Sequence, residues 1–108
     1  MPNAENVIPL KLTAPAAEML IRDIAKDSAK VKLTSHARKR MRERRVSMTQ
    51  VLDVLRRGKV CEGPGRNVHG DWEVAIRWRY AGDTIKLAVA IDTVENGDQV
   101  IVITVIKE

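Results

Sequence analysis

Between Trp72 and Ile106 the chain carries two runs that alternate apolar and polar residues and a third that is apolar on both faces apart from Gln99 and Thr104, and this pattern limits the fold most. In Trp72–Tyr80, Val74, Ile76, Trp78 and Tyr80 share one side, and Glu73, Ala75, Arg77 and Arg79 the other. Thr84–Asp92 repeats the period, with Ile85, Leu87, Val89 and Ile91 against Lys86, Ala88 and Ala90. Side chains alternate across a strand, so each run predicts a strand with one buried face. After Gln99, the run to Ile106 is apolar on both faces apart from Thr104. Such a strand is expected to be covered on both sides or paired centrally. Ala81-Gly82-Asp83 turns the chain between the first two runs, and Asn96-Gly97 is a hairpin signal before the third. Lys59–Glu62 reads as a further short strand, followed by a loop over 63–70. The result is a meander of three or four antiparallel strands.

The first half changes period. Pro15 suits a first helical turn, and Ala17, Leu20, Ile21 and Ile24 then fall on one helical face, so a helix is expected from Pro15 to about Lys30. A short strand, Val31–Thr34, follows. Ser35 is placed to cap a basic helix, His36–Arg45. Ser47 and Gln50 have capping-box spacing ahead of a helix Met48–Arg57, which buries Val51, Leu52 and Leu55 and stops at Gly58. Helices segregated from strands predict an α+β domain. Three N-terminal helices would pack on one face of a three- to five-stranded, mainly antiparallel sheet. The 108 residues suit a single domain over 15–108, preceded by a loosely ordered arm, 1–14.

Charge is unevenly spread. The net charge is +5 and the pI about 9.7. Arg38, Lys39, Arg40, Arg42, Arg44 and Arg45 against Glu43 alone account for all of it. A basic excess of this kind favours polyanions, although it also serves solubility alone. Cys61 is the only cysteine, so no intrachain disulfide forms and a reducing cytoplasm is the expected compartment. Purely apolar stretches such as Val100–Ile103 and Leu87–Ile91 are far below the roughly 20 residues that span a bilayer. His36, Cys61 and His69 are too few and too badly spaced for a zinc site, so neither metal nor cofactor is expected.

At about 100° per residue, His36, Arg40 and Arg44 form one helical ridge beside Ala37 and Met41. The apolar pair is expected to dock on the core, while Arg38, Lys39, Arg42 and Arg45 project outward. Arginine offers a fixed fork to phosphate oxygens, and histidine exchanges protons near neutral pH. RNA cleavage through the 2′-hydroxyl needs proton transfer and charge stabilisation, and no metal. The ridge meets those needs in kind; the competing reading is an ordinary solvated helix face. A second constellation is the polar side of the sheet, where Glu73, Arg77, Arg79 and Lys86 could hold a phosphate backbone with Glu73 as a base, or form common cross-strand ion pairs. A third is the glycine-rich loop carrying Arg66 and His69, which is a candidate ligand loop or a plain connection.

Thr34-Ser35-His36-Ala37, then Arg40-Met41 and Arg44, then Val46-Ser47, the helix to Arg57-Gly58 and the closing Val102-Ile103-Thr104-Val105 resemble the small bacterial domains grouped as domain of unknown function 4258. The resemblance covers about residues 31–106 and leaves the first helix outside it. In layout that family is similar to RelE/ParE-like and BrnT-like toxins of bacterial toxin–antitoxin pairs. The resemblance implies a metal-independent ribonuclease with RNA as substrate and a cognate antitoxin as partner. His36, Arg40 and Arg44 are then the first catalytic candidates, with Glu73 and Arg77 on the sheet. Arg38, Lys39, Arg42, Arg45, Arg66, Arg79 and Lys86 are the nucleic-acid-binding candidates. The alternative is a non-catalytic module that binds nucleic acid or protein through 36–45.

Overall fold

The computed structural model describes residues 12–80, 82–94 and 97–108. Along the chain lie α1 (Ala14–Ile24), β1 (Val31–Leu33), α2 (Ser35–Arg44), α3 (Met48–Arg57), β2 (Lys59–Arg66), β3 (Trp72–Tyr80), β4 (Asp83–Val94) and β5 (Gly97–Lys107). The fold is α+β, with five strands in the order β1-β5-β4-β3-β2. The β2 to β5 pairings are antiparallel, but β1 runs parallel to β5, with Val31 opposite Val100 and Leu33 opposite Val102. The sheet is therefore mixed, and β1 interrupts the expected block of N-terminal helices. The long stretch of chain between β1 and β5 makes this crossover feasible, and β1 satisfies backbone groups on the edge of β5.

Local chemistry moves several boundaries. Thr13 caps α1, its hydroxyl accepting from the Ala16 N–H at 3.2 Å, so the helix starts inside the expected arm. The helix stops at Ile24 rather than near Lys30, because Asp27 bonds the Ala29 N–H at 3.0 Å and sets a 3-10 turn, Ser28–Lys30, that feeds β1. The cap of α2 is Thr34 instead of Ser35. Its hydroxyl accepts from the Ala37 N–H and donates to the Ile103 carbonyl, both at 3.0 Å, so one side chain starts the helix and ties it to β5. The strand expected to end at Glu62 runs on to Arg66, through irregular register either side of Glu62. The turn residues Ala81 and Asn96 lie outside the described residues, as do positions 1–11 of the arm.

The core lies between one sheet face and two helices. Ala17, Ile21 and Ile24 of α1 and Val51, Val54 and Leu55 of α3 pack with Val74, Ile76, Leu87, Val89 and Val102. Trp78 and Tyr80 are partly buried against that core. Polar bonds fix α1 there. Glu18 accepts from the Val60 N–H at 2.9 Å, Arg22 donates to the Gly58 carbonyl at 3.1 Å, and Arg56 donates to the Ala25 carbonyl at 2.8 Å. The third helix departs from the expected stack on one face. Beyond the short β1, α2 lies along β5, with only Ala37 fully buried and Met41 partly so. The opposite sheet face carries no helix among the described residues. No described helix is long and apolar enough to cross a membrane.

Candidate functional site

The uncovered sheet face is built by strand parity. Because the buried residues of β3 and β4 point toward α1 and α3, their alternates Glu73, Ala75, Arg77, Lys86, Ala88 and Ala90 point the other way. On β5 the register slips between Ala88 and Val89, which pair with Thr104 and Val102 and leave Ile103 as the extra residue. The bulge brings Ile103 and Thr104 onto the uncovered face and restores Val105 to the core, where it is 1% exposed.

His36 joins this face. It is exposed at the start of α2, and its Nε2 lies 3.1 Å from the Thr104 hydroxyl. Thr104 pairs with Ala88, Ala88 with Ala75, and Glu73 stands two residues further along β3. Standard strand spacing puts the Thr104 and Glu73 backbones about 12 Å apart. Glu73 is half-buried and accepts from the Asn67 amide at 3.3 Å. The ridge histidine and the sheet carboxylate therefore address one surface.

The cations divide among several places. Arg77 is exposed and stands opposite Lys59 on β2 and Lys86 on β4, but the Lys59 ammonium is paired with Glu18 of α1 at 3.6 Å. Lys86 is paired with Glu62, and the hydrogen bond to that carboxylate raises its pKa. Arg77 and Arg79 flank a shallow depression of about 470 Å³ with Lys59, Trp78 and Glu108. Arg40 does not point a free fork at this face: it is held by Glu43 at 2.7 Å, and that hydrogen bond lowers the Glu43 pKa. Arg44 is exposed at the far end of α2, where its carbonyl accepts from Lys107 at 3.5 Å. Arg38, Lys39, Arg42 and Arg45 are exposed. Arg38 and Arg42 border a separate hollow floored by Leu33, Met41 and Val46. Arg66 sits 4.3 Å above the Trp72 ring and donates to the Gly70 carbonyl at 2.7 Å. It is thus tied into the loop between β2 and β3.

That loop contributes a residue the sequence reading passed over. Asn67 Oδ1 accepts from the His69 and Asp71 N–H groups at 2.9 and 3.1 Å, while its amide donates to Glu73. The signal was present: an asparagine opening a short, glycine-containing turn bonds the backbone two residues on. Two hollows meet at Asn67 and Glu73. One, of about 260 Å³, extends toward Glu62 and Ala88. The other, of about 380 Å³, extends over Ala90, Ile101 and Ile103 toward Thr34.

Residues 33–107 match the family described as domain of unknown function (DUF4258), so the chain belongs to that family. No curated protein and no solved structure matches it. The matched residues include all of α2, α3 and β2 to β5, hence the whole uncovered face except the side chains that precede Leu33. Helix α1 lies outside the match yet supplies three buried core residues.

Proposed function

We propose that this member of the DUF4258 family is a toxin-like, metal-independent ribonuclease that draws RNA across the uncovered sheet face, with a cognate antitoxin as its protein partner. The observation that carries the reading is that His36 and Glu73 face one surface, which Arg77 and the Glu62-paired Lys86 also face. The phosphate backbone would lie along Arg77 and Arg79, with Arg44 at the rim. The Thr104 hydroxyl fixes the His36 ring. His36 takes the proton of the 2′-hydroxyl as that oxygen bonds phosphorus. It returns the proton to the 5′-oxygen as the phosphorus–oxygen bond breaks, leaving a 2′,3′-cyclic phosphate and a 5′-hydroxyl. The arginines stabilise the charge of the phosphorane. Arg40 contributes to binding only once Glu43 releases it.

The test is incubation of the protein with total RNA, with and without chelator. Cleavage that survives chelation and falls by about 10²–10⁴ in a folded His36→Ala variant supports the reading. Intact RNA, or cutting that stops when metal is removed, overturns it. A second reading is favoured by the occupied fork of Arg40 and by the exposure of Arg38, Lys39, Arg42 and Arg45. It is a non-catalytic module whose RNA affinity falls steeply with salt while no phosphodiester is cut.

A further inference from the structure

We propose that the hollow between Glu73 and Ile101 is a nucleobase subsite that selects guanine; the proposal rests on RNA being the ligand of this face. The hollow holds about 380 Å³, at the lower end of small-ligand pockets and ample for one base. Its floor is aliphatic, made by Ala90, Ile101 and Ile103 on adjacent strands. At its rim Val68 is 95% exposed, an aliphatic side chain with no core to enter. A planar ring entering over the floor would cover it.

The polar lining holds Thr34, Asn67, His69 and two carboxylates, the latter unexpected on a basic protein. Asp71 and Glu73 both line the hollow. Glu73 receives one amide proton, from Asn67, and its second oxygen has no hydrogen-bond partner among the described residues. An ionised carboxylate only accepts. Guanine presents two adjacent N–H donors on its Watson–Crick edge and matches two carboxylate oxygens at once. Adenine and cytosine set a ring acceptor beside the amino group, and uracil flanks its single N–H with carbonyls, so each places an acceptor against the carboxylate. Desolvated mismatches of this kind are strongly rejected. Asn67 braces the wall in advance, since its side chain bonds two loop N–H groups and Glu73 together. Glu73 is thereby assigned to holding the base, and His36 alone to moving the proton.

The experiment is an NMR titration of the full chain with the 5′-monophosphates of guanosine, adenosine, cytidine and uridine at one ionic strength. Guanosine monophosphate should bind about tenfold tighter than the others, the scale of one good bidentate contact, and shift the resonances of Ala90, Ile101 and Ile103. Glu73→Gln should bring the four nucleotides level. Equal affinities, no binding, a preference that survives Glu73→Gln, or tighter binding of arginine amide than of any nucleotide overturns the subsite, the last in favour of a peptide ligand. Guanine-selective binding by a protein that cuts no RNA keeps the subsite and removes the ribonuclease. RNA cutting without a guanine preference does the reverse.

Discussion

Replacing Ile21 by alanine asks whether α1 belongs to the core or merely leans on it. Ile21 is 0% exposed and packs in the cluster shared by α3 and the sheet. The substitution deletes about three carbons, worth roughly 2.4 kcal/mol at about 0.8 kcal/mol each. The unfilled cavity brings the total to about 3–4 kcal/mol. With a urea slope of about 1.5–2 kcal/mol/M for a domain of this size, the unfolding midpoint should fall by about 2 M. The thermal midpoint should drop by roughly 12–30 °C. Equilibrium urea unfolding followed by circular dichroism and tryptophan fluorescence reads both probes on one sample. A midpoint within about 0.3 M of the parent, with unchanged slope, would refute the claim that α1 is part of the domain. The family match would then mark the true folding unit.

Gly58→Ala should cost about 1–3 kcal/mol by thermal melting, because a Cβ there collides with the Val54 carbonyl oxygen and meets the Arg77 carbonyl oxygen at 2.8 Å. Arg45 ends α2 in the left-handed region at φ 56, so Arg45→Gly should stabilise by about 1 kcal/mol while lowering the salt slope of RNA binding by about 0.7 if Arg45 contacts phosphate. Glu43→Gln should free Arg40 and tighten RNA binding, with a steeper salt dependence measured by fluorescence anisotropy. Acid should mimic that change. The Glu43 pKa is depressed by the Arg40 hydrogen bond, so the pair persists above the ordinary carboxylate range and is lost as pH falls through the depressed value.

Much of this architecture was legible in residues whose signals are local. Ser47 and Gln50 form the capping box their spacing announced, with bonds of 2.9 and 3.2 Å. The alternation through β3 and β4 put Val74, Ile76, Leu87 and Val89 in the core and left Glu73 and Arg77 on the other face. What escaped depended on distant partners. Three residues of β1 cannot declare whether they will run with or against β5, since that is settled by how the intervening chain crosses. Thr34 and Ser35 are equal caps until the Ile103 carbonyl is brought within reach of one of them. Glycines and proline between Gly63 and Gly65 suggested a loop, but an edge strand tolerates them because half of its backbone groups need no ladder partner. For the candidate site, His36 and Glu73 were recognisable separately. Their shared surface required the β5 bulge, which no composition or period encodes.

The position of β5 also has a consequence for biosynthesis. It is an interior strand, flanked by β4 and by β1, yet among the described strands it is translated after all the others. Until its residues have been made, β1 has no neighbour, α2 has nothing to lie along, and Thr104 is not there to hold His36. A chain that ends before Val102 therefore has an open sheet edge and no His36–Thr104 bond, and its unpaired strands expose it to proteases and aggregation.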